Sequence, residues 1–536
     1  MKQKLLFPLV CLFLLFNTGL KAQRGVLVDF NELYSMSVGE IKALLTDVPP
    51  SLVELALRNP DENAVVDAYG LLYYTIDAFD NLTLASGAVF LLKEVSPDAP
   101  LAVYMHGSIT SDQEAPSRLG GVESLLGWVL GADGYIGILP DYLGLGSSPI
   151  PHHPYTHAAT EASASIDMIL AAQQFLLQEY GISGKKDLFL SGYSQGGHAT
   201  VAVQRELEQN YHTDFNVVIN VAGSGPYCLS TIQRRFMLDH PDYGRPGHIP
   251  YLVMGYKSVY PFFTTDLEDI FVEPYLSMFP GLYDRTKPIG EIEDILDVTY
   301  WTQMMNQRFL LNFKYNYFNP LNKALRNNDL VNWTPQGKLR LLYCSGDEIV
   351  SPNNTVAAWL TYLLRGAPKV LALNLGNYLH NDCAIPALAV TKILFDCNSP
   401  VHTCIFDIGL KAGGQEPHLS ELSYEEALAL ISTEDAEVIS EISPEINALT
   451  GIEENGIKSY IRVFPNPASA YIHLNFSIGS EIQRISLINN LGQTVKMYQD
   501  LGSILEFTIP CNEIAKGIYT VVVQSDQIFI ERIVIE

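Results

Sequence analysis

The chain has 536 residues, of which 48% are hydrophobic and 17% charged, and its formal net charge is −26. That length exceeds one core and predicts two to four domains, and the apolar share predicts that most of the chain folds. A surface this acidic is repelled by nucleic acid and by anionic membranes, so no nucleic acid is expected as a partner.

The N-terminus carries Lys2 and Lys4, an apolar run from Leu5 to Phe16, and Leu20-Lys21-Ala22 before Gln23. This pattern predicts a signal peptide, residues 1–22, cleaved after Ala22. The apolar run is too short to span a bilayer, so the mature chain is expected to have no integral membrane segment. Cys11 lies inside the run without the small residues of a lipoprotein cleavage site. Losing Lys2, Lys4 and Lys21 but no carboxylate takes the formal charge from −26 to −29. Export permits disulfides among Cys228, Cys344, Cys383, Cys397, Cys404 and Cys511, and Cys397 and Cys404 are spaced to close a short loop. Free or partly paired thiols are the alternative. No CxxC pair offers a zinc site.

Two strands, Ala64 to Ile76 and Leu82 to Leu92, are predicted by their apolar and small residues on either side of the turn-rich Asp77 to Asn81. A third, Leu101 to Met105, ends in His106-Gly107-Ser108. A helix follows around Val122 to Leu130, and a fourth strand from Tyr135 runs through Pro140-Asp141 into the glycine-rich loop to Ser147. Ala158 to Tyr180 is a helix by its apolar spacing, stopped by Gly181. A strand over Asp187 to Leu190, a turn and a helix from Ala199 come next, then a strand over Asn216 to Ala222. This alternation predicts an α/β fold with a mostly parallel sheet.

From Gly223 to Trp333 the alternation stops and aromatics and methionines accumulate, as in a mainly helical cap inserted over the sheet edge; an ordinary small helical core is the other reading. The sheet resumes at Lys338 to Cys344, followed by a helix over Val356 to Leu364, a strand over Val370 to Leu375 and a helix over Ala384 to Phe395. Residues 405–457, with twelve acidic residues and one lysine, predict an acidic linker that is partly helical, since Ser423 and Glu426 form a capping box. Residues 458–536 carry short strands separated by turns, which predicts a small all-β sandwich.

The chemistry is concentrated in Gly192 to Gly196, a Gly-x-Ser-x-Gly turn between strand and helix that exposes the Ser194 hydroxyl as a nucleophile. A serine needs a base to take its proton and a third group to orient that base. Asp347 and His380 follow Ser194 in the order and at the strand ends that this arrangement uses. Backbone N–H groups of Gln195 and of Gly107 or Ser108 are the expected oxyanion hole. His106 precedes the serine and is expected to shape the oxyanion loop, His198 to pack, and Glu348 to rank behind Asp347; Asp382 is too near His380 to orient it. His152, His153 and His157 lack a carboxylate or thiol spaced to complete a metal site, so no metal and no cofactor are expected.

These segments resemble the secretory lipase family, the lipase A type of α/β-hydrolase: Tyr104 to Ser108, Gly134-Tyr135 to Gly146, His153-Pro154-Tyr155, Gly192 to His198, Gly346-Asp347 with Val350, and His380. The resemblance covers residues 64 to about 395. It implies an α/β-hydrolase domain, residues 23–404, with a cap at 223–333, acting on ester or lipid substrates with Ser194, Asp347 and His380. A serine peptidase on the same fold and a noncatalytic surface-binding protein are the alternatives. In the tail, Val463 to Ala468, Ile488 to Gln493 and Gly517-Ile518-Tyr519 resemble the C-terminal sorting domain of type IX secretion cargo. That likeness implies the type IX secretion machinery as a partner, passage through the periplasm of a Gram-negative cell, and a final place at the cell surface or outside it.

Overall fold

Leu101–Met105, Ile136–Pro140 and Leu188–Leu190 are buried over their whole length, as strands covered on both faces must be. They form the middle of a nine-stranded sheet in a computed structural model, which describes residues 24–402 apart from 47, 49–52, 55 and 368. Between 461 and 535 it describes seven strands with residues 511 and 514–516. The expected signal peptide and acidic linker lie outside the described residues.

The nine strands are β1 (Leu27–Ser37), β2 (Val65–Ile76), β3 (Leu82–Leu92), β4 (Leu101–Met105), β5 (Ile136–Pro140), β6 (Asp187–Tyr193), β7 (Asn216–Gly223), β8 (Leu339–Tyr343) and β9 (Val370–Asn374). Across the sheet they run β1-β2-β3-β5-β4-β6-β7-β8-β9. The first three and the β3–β5 pair are antiparallel, and every pairing from β5 to β9 is parallel. The carboxyl ends of the parallel strands therefore open on one edge, where an α/β sheet builds its site.

Helices α1 (Val38–Leu44), α2 (Ser124–Ala132), α3 (Ala158–Tyr180) and α4 (Gln195–Asn210) precede the insert. The longest, α3, stops where the sequence predicts: Gly181 adopts φ 65° and its N–H reaches Leu177 O, an end that a left-handed residue permits. β1 and α1 are not anticipated by the sequence pattern. Two register shifts against β2 interrupt β1, and a bulge breaks the period-2 alternation by which a strand is recognised.

Between β7 and β8 the chain forms α5 (Arg234–Asp239), α6 (His248–Val259), α7 (Leu267–Ile270), α8 (Tyr275–Leu282), α9 (Ile289–Leu296), α10 (Gln307–Tyr315) and α11 (Pro320–Asn327). They share a core of their own, built on Tyr256, Phe271, Phe279, Trp301 and Phe313, which also takes in Ile349 and Val350 from the loop after β8. Arg285 ties this insert to the glycine-rich loop. Its guanidinium donates to Gly146 O, Ser148 O and Ile150 O at 3.0, 2.9 and 3.0 Å and pairs with Asp112.

After β8, α12 (Asn353–Leu364) and α13 (His380–Asn398) complete the fold of this part of the chain. The sequence places the start of α13 four residues late. Gly376 and Asn377 read as breakers, and Pro386 sits inside the helix, where proline is disfavoured.

The second unit, within residues 451–536, has a three-stranded sheet of β10 (Ile461–Phe464), β11 (Tyr471–Phe476) and β14 (Glu506–Pro510). A four-stranded sheet has the order β13 (Thr494–Ser503), β12 (Glu481–Asn489), β15 (Gly517–Gln524) and β16 (Ile528–Ile535). All pairings are antiparallel, and Ile472, Leu474, Ile485, Leu487, Val521 and Val523 from both sheets share one core. It is a small all-β sandwich. The sequence pattern omits β10, which is short, and β13, whose alternation is broken by the polar Lys496, Gln499 and Asp500.

Cys344, just after β8, is bonded to Cys383 in the first turn of α13. Cys397 is disulfide-bonded as well, while Cys404 lies outside the described residues. Cys228 and Cys511 are free and buried. Replacing Cys383 with Ser is expected to lower the free energy of unfolding by about 2–4 kcal/mol through loss of a cross-link closing a long loop. Guanidinium chloride denaturation of the two proteins measures the difference.

Candidate active site

Three strand ends bring the expected residues together. β6 ends at Tyr193, and Ser194 follows with φ 59° and ψ −121° before α4 begins at Gln195. This backbone is strained for a residue with a Cβ. It is held by the Ser194 N–H, which donates to Gly223 O at 2.9 Å. A Cβ at Gly192 would overlap Gly196 O, and one at Gly196 would overlap Met105 O. Both glycines are thus required by close backbone approach.

Ser194 Oγ lies 2.9 Å from His380 Nε2, and His380 Nδ1 lies 2.7 Å from Asp347 Oδ2. The other Asp347 oxygen accepts the N–H groups of Ile349 at 3.1 Å and Val350 at 2.8 Å. His380 is the first residue of α13. Its own N–H donates to Glu348 at 2.9 Å, and Tyr193 Oη donates to its carbonyl at 2.6 Å. Glu348 therefore holds the backbone of the histidine, while Asp347 holds the ring. Asp382 is exposed.

The expected oxyanion loop needs one correction. The Gly107 N–H donates to Glu123 Oε2 at 2.6 Å, and Tyr104 Oη donates to the same oxygen at 3.0 Å, so Gly107 is not free to receive an oxyanion. Burial raises the Glu123 pKa, against the opposing influence of His106 and these donors. No hydrogen bond among the described residues takes the N–H groups of Gln195 or Ser108. Ser108 Oγ is 2.7 Å from Tyr155 Oη. Both ring nitrogens of His106 face carbonyls, Gly107 O at 2.7 Å and Asp141 O at 3.2 Å, which fixes the loop's shape.

Behind the elbow lies a buried polar chain that sequence reasoning missed. Glu161, on α3 and 1% exposed, accepts from the Gln195 amide at 3.0 Å and meets His198 Nδ1 at 2.7 Å. The Gln195 amide also donates to His153 Nε2 at 2.7 Å, and His153 Nδ1 donates to Leu143 O at 2.7 Å. His198 reaches Asn328 O at 3.0 Å. The sequence signal was available: Glu161 is a carboxylate in an otherwise apolar and small stretch of α3, where burial without a partner would be costly.

Of the three histidines in the glycine-rich region, His153 and His157 are buried and hydrogen-bonded, while His152 is exposed. His153 is bonded as above and His157 meets Thr160 at 2.9 Å. Burial, above all, pushes their pKa values down to about 3 and about 4. Asp133, Asp396 and His402 converge elsewhere, but Lys392 pairs with both carboxylates and Arg58 with Asp396. Those cations occupy the place a metal would take.

A sheet of this order, with a serine on a strained turn under a helical insert, is the architecture of an α/β-hydrolase. Residues 118–276 match the model of the secretory lipase family, and residues 462–536 match that of the secretion system C-terminal sorting domain. The esterase LipA of Xanthomonas oryzae, described as degrading the rice cell wall, is 25% identical with a TM-score of 0.59, covering 70% of this chain and 98% of its own. A Legionella pneumophila protein, named no further than as a hydrolase, is 23% identical (TM-score 0.63; 70% and 99% covered). Lipase A of Candida antarctica shares the fold at 16% identity (TM-score 0.52; 72% and 86% covered). No curated protein matches the chain. The chain is a carboxylic ester hydrolase of the lipase and esterase class, and its tail directs type IX secretion to the cell surface or exterior. No helix among the described residues is long and apolar enough to cross a membrane.

The pKa of His153 carries a testable consequence. Its folded value of about 3 lies below the ordinary 6.5, so the unfolded chain binds the proton first. The stability held above pH 6.5 is then lost as pH falls toward about 3. His153→Gln, which lacks this titration, is expected to lose less stability than the parent between about pH 6.5 and pH 4, as read from urea midpoints across that range.

Proposed function

We propose that the chain hydrolyses carboxylic esters through an acyl-enzyme, with Ser194 as nucleophile, His380 as general base and acid, and Asp347 as the group that orients it. The observation that carries this reading is the unbroken chain from Ser194 Oγ to His380 Nε2 at 2.9 Å and from His380 Nδ1 to Asp347 at 2.7 Å. His380 takes the Ser194 proton as Oγ bonds to the acyl carbon, and the carbonyl oxygen becomes an oxyanion. N–H groups of Gln195 and Ser108 receive that oxyanion. The C–O bond to the leaving alcohol then breaks, and the alcohol departs with the proton from His380. Water attacks the acyl-enzyme by the reverse proton route, releasing the acid and restoring Ser194. Asp347 stabilises the imidazolium in both halves, and its second oxygen, engaged by two backbone amides, keeps it from turning away.

The insert at 223–333 acts as a cap over the serine, within a hydrolase domain of residues 23–404. The acidic stretch 405–457 links it to a sorting domain, 458–536, that engages the type IX machinery after passage through the periplasm. Ester or lipid is the substrate class, and no cofactor enters any step.

Ser194→Ala is expected to lower kcat on p-nitrophenyl butyrate by about 10⁴- to 10⁶-fold. Asp347→Asn, which leaves the ring in place but disfavours its productive tautomer, is expected to lower it by about 10³- to 10⁴-fold. Hydrolysis by Ser194→Ala at the parental rate would remove the proposal.

A further inference from the structure

The cavity beside Ser194 is small and mostly apolar. Leu229, Met237, Ile249, Leu252, Ile349 and Val350 supply its walls, and the space open to the centre of a water molecule is about 40 Å³. One water needs roughly 10–15 Å³ on that measure, so the cavity takes a group of only a few heavy atoms. Ser194 and Gln195 both line it, so a group held there lies beside the carbon that Ser194 attacks.

Besides Ser194, six polar side chains interrupt this apolar wall; Tyr155, Thr156 and Gln233 are bonded to neighbours, as is the Gln195 amide N–H, which leaves His248 and Tyr243. His248, the first residue of α6, is 9% exposed, and its Nε2 has no hydrogen-bond partner among the described residues. Tyr243, on the loop before it, is 7% exposed, and its hydroxyl has no hydrogen bond among the described residues. Burial, reinforced by Arg245 and His380, lowers the His248 pKa to about 3, so at neutral pH its imidazole carries one N–H and one lone pair. Buried polar groups are nearly always paired, because leaving one unpaired costs stability. Two such groups in one apolar pocket are the pattern by which a site fixes and selects a ligand.

We infer that this pocket selects short acyl groups bearing a hydroxyl, which His248 and Tyr243 bind by hydrogen bonds while Ser194 attacks the ester carbon. The inference rests on the acyl-transfer reading above. Binding energy is then gained only by acyl chains that bring a polar partner, and a plain chain of the same length leaves both groups unpaired. A site built to bond a hydroxyl discriminates strongly against the analogue that lacks it.

The experiment compares kcat/KM for p-nitrophenyl 3-hydroxybutyrate, butyrate and octanoate with purified protein. The 3-hydroxybutyrate is expected to exceed butyrate by about tenfold, and butyrate to exceed octanoate by at least about tenfold. In His248→Phe the hydroxyacyl preference is expected to fall to near one through a higher KM for the 3-hydroxybutyrate. His248→Gln, which retains a donor and an acceptor, is expected to restore part of it. Labelling of Ser194 by a fluorophosphonate checks that each variant keeps its site, and Tyr243→Phe, expected to reduce the preference, carries the test if His248→Phe does not fold. Equal rates on 3-hydroxybutyrate and butyrate, or a preference untouched in His248→Phe, would overturn the inference while Ser194-dependent hydrolysis stood. Octanoate turning over as fast as butyrate would overturn the size limit. Undiminished hydrolysis of every ester by Ser194→Ala would instead overturn the acyl-transfer reading and this inference with it.

Discussion

Ser194 holds a backbone conformation that a residue with a side chain avoids, and most of the surrounding structure bears on keeping it there. Such a conformation costs on the order of 1–3 kcal/mol, and its neighbours offset it. The Ser194 amide is bonded across to the end of β7, the elbow closes against β4 so tightly that only glycine fits at 192 and 196, and α4 starts on the next residue. The turn is thus set by the parallel register of β4, β6 and β7 and not by its own five residues.

The partners of the serine are subject to a second constraint, because Asp347 and His380 sit on separate segments that must keep hydrogen-bond distance. Several independent ties hold these two segments. The Cys344–Cys383 disulfide joins the chain three residues before Asp347 to the chain three residues after His380. Glu348 accepts the His380 amide, and Tyr193, adjacent to the serine, bonds to the His380 carbonyl. Each tie reduces the freedom that the Asp347–His380 hydrogen bond would otherwise have to overcome. On the opposite side of the elbow, Glu161 joins Gln195 and His198 in one buried hydrogen-bonded network, which stiffens its surroundings.

The helical insert meets the site through the same segment that carries the carboxylate. Ile349 and Val350 lend their amides to Asp347 and their side chains to the core of the insert. Arg285 fastens the far side of the insert to the glycine-rich loop that also packs around His153. The dimensions of the pocket over the serine are consequently coupled to the position of Asp347.

Ser194, Asp347 and His380 are legible in the sequence because each follows or precedes an apolar run that only a buried strand explains, and their chain order matches the chemistry. The same local patterns place β2 to β9 and the helix after the glycine-rich loop within a few residues. What the sequence cannot show is who neighbours whom once the chain closes. Gly107 looks like a free amide beside the serine, yet a glutamate sixteen residues on takes that amide in the folded chain. Glu161 stands in an apolar and small stretch, yet its partners Gln195 and His198 come from a remote helix, and β1 is hidden by two register shifts that interrupt its alternation. Cys344 finds Cys383, not a near neighbour, because β8 and the start of α13 meet at the sheet edge. Periodicity and turn chemistry are local and are written in the chain. Hydrogen-bond partners, disulfide pairing and the volume of the cavity beside Ser194 depend on distances between remote segments, which tertiary structure alone decides.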